Sequence, residues 1–236
     1  LRLNPINMVF GGFEKCTLID YPGKVACMVY TIGCNLRCPY CHNPELVDET
    51  VETKKTEAEI LDFLDRRKNM LDGVVITGGE PTMHGSELIE FMKKVKKKGF
   101  LVKLDSNGTN PGVLKEAITK GLVDFIAMDI KSPLSKYSQT VARPVDVAAI
   151  RESIVLIMNS VIEYEFRTTV IKAQLSPQDF DEIGHEIMGA KKYFLQKFIP
   201  NKLLNPQFRK KVSYSNDEFA LLQEKMNNYV KFCGIR

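Results

Sequence analysis

Residues 25–41 read VACMVYTIGCNLRCPYC, an apolar run followed by three closely spaced cysteines. The run at 25–32 has the length and the β-branched content of a buried strand, and it ends at Gly33. We therefore predict a strand followed by a loop that carries Cys34, Cys38 and Cys41.

The spacing of the three cysteines indicates a metal centre. Three thiols at one point are not explained by disulfides alone, and soft thiolates select zinc or an iron–sulfur cluster. Three thiolates suit an iron–sulfur cube with one iron left open for a substrate. The alternative is a zinc site with His42, His84 or another cysteine as its fourth ligand. Cys16, Cys27 and Cys233 are scattered singly rather than paired, so the pattern favours the cluster, and we expect these three to pack as small apolar residues.

Composition excludes several classes of protein. The 236 residues are 44% hydrophobic and 26% charged, enough for a single large core, and the net charge is only +4. The basic run at 93–98 lies on a predicted amphipathic helix that ends at Gly99, which is typical of a solvated helix face rather than a nucleic-acid site. No apolar stretch reaches 18 residues, and the first residues lack the apolar core of a signal peptide. We expect a cytoplasmic protein with neither a membrane nor a nucleic-acid partner, since clustered cysteines fit a reducing compartment.

Strands and helices are predicted to alternate along the chain. Residues 9–24 form a lead-in with turn signals at 11–13 and 20–24, and Thr56 with Glu59 forms a capping box that opens a helix to about residue 70. Further strands are predicted at 73–77, 100–105, 124–130, 162–172 and 192–199, and further helices at 86–98, 112–120, 145–159, 177–190 and 217–232. Six strands each followed by a helix predict one α/β domain with parallel strands, either an open doubly wound sheet or a partial barrel of six βα units.

Polar residues follow the ends of successive predicted strands, where parallel α/β folds place their ligand sites. After the second strand, Gly78 and Gly79 allow close backbone approach or a positive φ, and the Glu80 carboxylate can receive an ammonium group. A plain turn between strand and helix is the alternative interpretation of this sequence.

The third strand ends in Asp105, Ser106 and Asn107, which offer a carboxylate, a hydroxyl and an amide. These groups suit ribose hydroxyls or a hard cation. A turn in which Asn-Gly takes left-handed conformations is the alternative.

The fourth strand ends in Asp129 and Lys131, which share one face by the period of two and can point into one cavity. Arg167, on a later alternating strand, is the candidate catalytic residue, because a guanidinium can hold a ligand carboxylate bidentately. The alternatives are a satisfied ion pair between Asp129 and Lys131, and a structural pair between Arg167 and Asp129.

Together these motifs resemble those of the radical S-adenosylmethionine (SAM) enzymes. Cys34-x-x-x-Cys38-x-Tyr40-Cys41 matches the cluster motif of that family, and the Gly-Gly-Glu-Pro sequence at 78–81 matches its second motif. Residues 40–43, 105–108 and 129–131 most resemble glycyl-radical activating enzymes. The opening residues 11–24 are similar to those of anaerobic ribonucleoside-triphosphate reductase activating proteins.

The resemblance implies a fold, a pair of cofactors and a set of residue roles. The fold would be a partial (β/α)6 barrel forming a single domain over 1–236, with a lead-in at 1–24 and a C-terminal extension at 200–236. The three cysteines would hold a [4Fe–4S] cluster whose open iron chelates SAM, and one electron would cleave SAM to methionine and a 5′-deoxyadenosyl radical. By the same resemblance, Gly79 and Glu80 would contact the methionyl amino group. Tyr40 and His42 would contact the adenine through their backbone. Asp129 and Lys131 would contact the ribose or the carboxylate, or alternatively Asp105 and Asp129 would share a monovalent cation.

The implied function is that of an oxidoreductase that abstracts hydrogen from a glycine of a partner enzyme. The partner would be an anaerobic ribonucleoside-triphosphate reductase or a similar glycyl-radical enzyme, with an electron donor of flavodoxin or ferredoxin type. The alternatives are a radical SAM enzyme acting on a small biosynthetic molecule and a zinc-binding adaptor without catalysis. Related activators use a late histidine, but only His185 follows residue 84 here, so that role stays unassigned.

Overall fold

The computed structural model describes residues 7–236, which group into two compact units. The first unit comprises the residues up to Asn35 together with Glu45–Ser106 and Gly112–Ile126. The second unit comprises Leu36–Pro44, Asn107–Pro111 and Ala127–Arg236. Strands alternate with helices in each unit, which confirms the predicted α/β class. Residues 1–6 of the predicted lead-in lie outside the described part of the chain.

The first unit contains a mixed sheet whose inner strands are parallel. Its strands are β1 (Val9–Thr17), β2 (Ala26–Thr31), β3 (Lys55–Thr56), β4 (Gly73–Gly78) and β5 (Leu101–Ser106), in the order β3-β1-β2-β4-β5. Strand β1 is antiparallel to both of its neighbours, whereas β2, β4 and β5 run parallel. Because Thr31 pairs with Gly78, the ends of β2 and β4 lie side by side. The helices here are α1 (Pro44–Val47), α2 (Glu57–Arg66), α3 (Gly85–Lys97) and α4 (Pro111–Thr119).

The second unit is built around three parallel strands. Strand β6 (Phe125–Asp129) begins in the first unit and ends in the second. It is followed by α5 (Tyr137–Thr140), α6 (Val147–Met158), β7 (Glu163–Val170), α7 (Asp179–Glu186), β8 (Tyr193–Lys197), α8 (Asn216–Asn227) and β9 (Cys233–Ile235). Strand β8 pairs in parallel with β7 and β9, through Phe166 opposite Tyr193 and Tyr193 opposite Cys233.

The local signals in the sequence explain most of these elements. Thr56 and Glu59 form the predicted capping box at the start of α2. The lysines at 93–98 on α3 lie at the surface as predicted and form ion pairs, among them Lys96 with Asp124 at 2.7 Å and Lys98 with Asp65. The predicted turn at 20–24 is present, with Gly23 at φ +69°.

The prediction of a turn at residues 11–13 is wrong, because these residues lie inside strand β1. A Cβ on Gly11 would lie 2.5 Å from the Leu46 side chain, and one on Gly12 would lie 3.0 Å from Tyr30. The two glycines therefore make room for neighbouring side chains within a strand rather than reversing the chain.

The isolated cysteines divide into two groups. Cys27 and Cys233 are buried as predicted, whereas Cys16 is exposed, so the prediction of an apolar role for Cys16 is wrong. The pairing of β1 with β2 shifts register between Glu14 and Thr17, and Glu14, Lys15 and Cys16 are all exposed there. In the part of the chain that the structure describes, no helix combines the length and the apolar character needed to cross a membrane.

Candidate functional site

The three clustered cysteines are divided between the two units. Cys34 is half-buried in the first unit, shortly after β2, while Cys38 and Cys41 belong to the second unit. The Cys41 amide donates to the Cys38 carbonyl at 2.9 Å, so these two residues lie in one turn. All three side chains are free thiols and take part in no disulfide bond within the described residues. Neither unit by itself groups three or more His, Cys, Asp or Glu side chains as a metal site among its described residues.

In the first unit, the Gly-Gly-Glu motif is bound to the backbone that leads into the cysteine loop. The Gly79 amide donates to the Thr31 carbonyl at 2.9 Å, and the Glu80 amide donates to the Gly33 carbonyl at 2.8 Å. Gly78 has φ +120°, as the positive-φ interpretation predicted. A Cβ on Gly79 would lie 1.9 Å from the Gly33 carbonyl oxygen, so only glycine fits. The close approach permitted by these glycines is therefore to the residue that precedes Cys34.

The Glu80 carboxylate is buried, with 1% of the residue exposed, and it is held by uncharged donors in its own unit. Its Oε1 accepts from the Thr82 amide at 3.1 Å, from the Thr82 hydroxyl and from the Ser106 hydroxyl at 2.9 Å. These bonds favour the ionised carboxylate but bring no positive charge to it. Sequence reasoning missed Thr82, whose position two residues after Glu80 is the spacing of a local turn.

The residues at the end of β5 are engaged in local contacts. The Asp105 carboxylate contacts the buried ammonium of Lys103, two residues earlier on the strand. Asn107 Oδ1 accepts from the Thr109 amide at 3.0 Å and from its hydroxyl at 2.6 Å. Gly108 has φ +77°, which is the left-handed turn that the alternative interpretation predicted.

In the second unit, Asp129 lies between two cations. Lys131 Nζ is 2.9 Å from Asp129 Oδ2, and Arg167 Nε is 3.0 Å from Asp129 Oδ1. The Ile130 amide donates to the Arg167 carbonyl at 2.7 Å, which fixes β6 against β7 at this point. Both predicted pairings of Asp129 are thus confirmed, and one carboxylate with two cations leaves a net charge of one positive unit.

The electrostatics of this trio keep Asp129 and Lys131 ionised. Burial raises the pKa of Asp129, but the Arg167 guanidinium and the Lys131 ammonium outweigh it and lower the pKa to about 2. Burial lowers the pKa of Lys131, but Asp129 outweighs it and holds that pKa well above its ordinary value. Burial raises the pKa of the Cys38 thiol, and the Lys131 ammonium opposes this rise. Lys131 is therefore positioned to favour a thiolate at Cys38.

Tyr40 is buried in the second unit beside the Cys38 thiol, and its side chain lowers the pKa of that thiol. Burial raises the pKa of the Tyr40 hydroxyl well above its ordinary value, and Cys38 and Lys131 are near enough to influence it.

Both histidines named for the zinc alternative use a ring nitrogen on a backbone carbonyl. His42 Nε2 is 2.8 Å from the Ile199 oxygen, and the His42 ring stacks on Phe198. His84 Nε2 is 3.0 Å from the Ile32 oxygen. Because a carbonyl only accepts, each Nε2 carries its proton, and that nitrogen is not a metal donor. A zinc site could therefore use these two histidines only through Nδ1.

A long connection between β8 and α8 also contacts the cysteine loop, and we name residues 198–215 the β8–α8 segment. The Leu204 amide donates to the Cys41 carbonyl at 2.9 Å, and the Asn205 amide donates to the Pro39 carbonyl at 2.9 Å. Sequence reasoning did not find this contact. The segment contains one short 3-10 helix, Pro206–Lys210, and no longer period in its sequence indicates the path that it takes.

The family model described as the radical SAM superfamily matches residues 28–174. The chain belongs to the radical SAM superfamily. It is also similar to a protein of Methanocaldococcus jannaschii that is provisionally named a glycyl-radical enzyme activating enzyme. The two are 32% identical over 229 residues, which cover 95% of this chain and 94% of that protein. The pyruvate formate-lyase-activating enzyme of Clostridium pasteurianum is 34% identical over 131 residues, which cover 52% of this chain and 54% of that enzyme.

Solved structures of radical SAM enzymes have the same fold. SuiB of Streptococcus suis, in a structure with its precursor peptide SuiA, matches with a TM-score of 0.66 at 12% identity, over 88% of this chain and 47% of SuiB. HemN of Escherichia coli matches with a TM-score of 0.59 at 13% identity, over 89% of this chain and 53% of HemN. The chain thus spans about half the length of these two enzymes. It is a radical SAM enzyme, and its cofactors are a [4Fe–4S] cluster and SAM.

Proposed function

We propose that this radical SAM enzyme activates a glycyl-radical enzyme by removing a hydrogen atom from a glycine of that partner. The observation that carries the proposal is the reach of the similarity to the M. jannaschii protein, 32% identity over 95% of this chain. That similarity includes most of the residues after 174, where the superfamily model ends. The shared sequence is therefore not confined to the part common to all radical SAM enzymes.

The cluster ligands in this proposal are Cys34, Cys38 and Cys41. Three thiolates are the donor set of an iron–sulfur cluster with one open iron, and the Lys131 ammonium opposes the rise that burial causes in the pKa of Cys38. When bound, the cluster and SAM would supply a one-electron reductive cleavage of SAM to methionine and a 5′-deoxyadenosyl radical, which would take a hydrogen atom from the partner's glycine to give 5′-deoxyadenosine. The protein contributes placement of the reactants and exclusion of side reactions.

Carboxylate and cationic side chains suit the two ends of an amino acid. We assign the methionyl ammonium of SAM to the buried Glu80 carboxylate, which Thr82 and Ser106 hold in place. We assign the methionyl carboxylate to Lys131 and Arg167, which flank Asp129. In this proposal Arg167 binds the cofactor and takes no part in proton transfer.

The remaining predicted residues have supporting roles. Ser106 positions Glu80 through its hydroxyl, and Gly78 and Gly79 fix the Glu80 backbone. Tyr40 and His42 are proposed to flank the adenine. Asp105 already contacts Lys103, and Asp129 already contacts two cations, so the proposal includes no monovalent cation. Asn107 shapes the turn after β5 through its bonds to Thr109.

The proposed partner is an anaerobic ribonucleoside-triphosphate reductase or a similar glycyl-radical enzyme. Its support is the sequence of residues 11–24 together with the names of the relatives, several of which activate pyruvate formate-lyase. Segment 11–24 includes most of β1 and the turn that follows it.

The test is transfer of the radical to the partner protein. The reconstituted enzyme, SAM and a reductant are mixed without oxygen with the glycyl-radical enzyme of the same genome, and the electron paramagnetic resonance spectrum is recorded. We expect the doublet of a glycyl radical, and its loss when the partner's glycine is replaced by alanine or when Cys41→Ala enzyme is used. Formation of 5′-deoxyadenosine with no glycyl radical on any such partner would reject this function and leave a small-molecule substrate.

A further inference from the structure

Positive charge is concentrated in one stretch of the second unit. Residues 187–216 contain seven of the 33 lysines and arginines and none of the 29 acidic residues. The remainder of the chain therefore holds 26 basic and 29 acidic residues and is slightly negative. The seven cations are Lys191, Lys192, Lys197, Lys202, Arg209, Lys210 and Lys211.

The cations of this stretch differ in their surroundings. Lys192 is 3.1 Å from Glu163, and Lys191 is 3.7 Å from the same carboxylate. By contrast, Lys210 and Lys211 are exposed and form no ion pair with any residue in the described part of the chain. Arg209 is also exposed, and its Nε donates to the Asn201 carbonyl at 3.3 Å, a bond that leaves its charge uncompensated. The charges of Arg209, Lys210 and Lys211 lie on the β8–α8 segment, and Lys197, just before it, bonds the neutral Asn216 side chain.

The β8–α8 segment has a defined position. The Ser213 hydroxyl donates to the Val170 carbonyl at 2.8 Å, and the Phe198 amide donates to the Ser213 hydroxyl at 3.4 Å, so its two ends are held together beside β7. Between them, the bonds from Leu204 to Cys41 and from Asn205 to Pro39 attach the segment to the cysteine loop. The basic residues therefore lie on the connection that contacts Cys41, a proposed cluster ligand, and Pro39, which follows the proposed ligand Cys38.

Exposed apolar residues accompany these charges. Ile199 is 57% exposed and Val212 is 63% exposed, one near each end of the segment. Apolar side chains among charged residues are typical of protein–protein interfaces, in which charge steers the encounter. We name Ile199, Arg209, Lys210, Lys211 and Val212 the basic face.

We propose that the basic face docks an acidic protein that carries a one-electron redox group, and that this protein supplies the electron consumed in SAM cleavage. The inference rests on the proposed function, since only a reductive reaction needs such a donor. One electron leaves the donor's redox group and enters the cluster, and no proton or other group moves. Positive charge beside the cysteine loop attracts a negatively charged donor to the part of the enzyme that must accept the electron.

The test measures binding first. The probe is a flavodoxin of strongly negative net charge, titrated calorimetrically into the reconstituted enzyme at several salt concentrations without oxygen. We expect Kd to rise steeply with salt and the variant Arg209→Glu/Lys210→Glu/Lys211→Glu to bind at least about tenfold more weakly. The matched control is Lys24→Glu/Lys54→Glu/Lys97→Glu, which changes the same charge at exposed positions of the first unit and should bind within about twofold of the native enzyme.

A milder variant and a second redox protein serve as further controls. If the charge-reversed variant does not fold, Arg209→Gln/Lys210→Gln/Lys211→Gln replaces it, with a smaller loss of affinity expected. Cytochrome c, a basic redox protein, should not bind. Equal flavodoxin affinity for the native and charge-changed enzymes would overturn the inference. So would tighter binding of a single-stranded RNA that the same substitutions abolish, because the basic face would then be a nucleic-acid site.

The rate of 5′-deoxyadenosine formation with two reductants separates the docking of a donor from the SAM cleavage on which the proposed function depends. With dithionite, a small reductant that needs no docking surface, the native and charge-reversed enzymes should form product at equal rates. With reduced flavodoxin, the charge-reversed enzyme should be slower by about the factor lost in affinity. Failure of the native enzyme with dithionite would reject the chemistry, while the binding measurement would still decide whether the basic face exists.

Discussion

Two carboxylates follow strands of the sheet, Glu80 after β4 in the first unit and Asp129 at the end of β6 in the second, and their surroundings differ in charge. Glu80 accepts from the amide and hydroxyl of Thr82 and from the hydroxyl of Ser106. Asp129 instead contacts the Lys131 ammonium and the Arg167 guanidinium. The contacts of Glu80 with Thr82 and Ser106 are thus made by neutral groups, whereas the contacts of Asp129 with Lys131 and Arg167 are made by cations.

In the proposed function, Glu80 would bind the ammonium group of an amino-acid ligand, and Lys131 and Arg167 would bind its carboxylate. Substitutions at each region should therefore separate their contributions.

The largest effect is expected from Gly79→Ala, which breaks the first region through its backbone. The new Cβ would lie 1.9 Å from the Gly33 carbonyl oxygen, a backbone atom that cannot move without displacing Cys34. We expect a loss of more than about 3 kcal/mol in the free energy of unfolding and a loss of iron–sulfur absorbance after reconstitution. Urea unfolding of the iron-free protein and iron analysis measure the two effects.

Gly112→Ala is the control for that substitution. No heavy atom lies within 4 Å of a Cβ at Gly112, which is in α4, so we expect no loss of stability and a gain of about 0.5–1 kcal/mol. Equal stability of the two variants would show that Gly79 is not held against the cysteine loop.

A smaller effect is expected from Asp129→Asn, which removes the charge that separates two cations. Lys131 and Arg167 would lose their shared counter-charge, and we expect a loss of about 2 kcal/mol in the free energy of unfolding together with a changed KM for SAM. The control Asp62→Asn removes one member of an exposed ion pair with Arg66 and should cost less than about 0.5 kcal/mol. If Asp129→Asn left the free energy of unfolding unchanged, the stabilising contacts of Asp129 with Lys131 and Arg167 would be contradicted.

The pH dependence of stability should distinguish Asp129 from its amide variant. Its folded-state pKa of about 2 is below the ordinary value of 3.8, so its contribution is complete above about pH 5 and is lost as pH falls through 4 toward 2. Roughly 0.6 kcal/mol of the difference between native protein and Asp129→Asn should disappear between pH 6 and 3.5. Urea unfolding of both proteins at the two pH values measures it, and a difference that grows on acidification would contradict the assigned shift.

The smallest effect is expected from Ser106→Ala, which tests how far Glu80 depends on one neutral donor. Thr82 still supplies two bonds, so we expect a loss of about 1 kcal/mol in stability and a KM for SAM several-fold higher with kcat little changed. Ser106→Thr should restore the hydroxyl and most of the affinity. An unchanged KM would remove Ser106 from the positioning of Glu80.

The alternation of strands and helices could be predicted because each element has its own period. The predicted strand at 124–130 is β6, and the period of two placed Asp129 and Lys131 on one face, where they form an ion pair. The strand character of β1 was missed because two glycines in its centre resemble a turn. Gly11 packs against Leu46, which is distant in the sequence, and Gly12 packs against Tyr30 on the neighbouring strand β2. No local sequence pattern predicts these contacts.

The candidate site was predictable in its motifs but not in its supporting contacts. Spacing identified the cysteines and Glu80, yet the Ser106 hydroxyl donates to Glu80 from another strand, a contact that depends on strand register. The bonds from Leu204 and Asn205 to the cysteine loop depend on the path of an aperiodic segment. Neither register nor such a path is specified by local propensity.

The most direct test of the account is whether this chain cleaves SAM with the cysteines named here. The protein is reconstituted anaerobically with iron and sulfide, reduced with dithionite and given SAM, and 5′-deoxyadenosine is quantified beside a Cys38→Ala variant. We predict product from the native protein and none from the variant. Stoichiometric zinc in place of a cluster, with no product from either protein, would contradict the account.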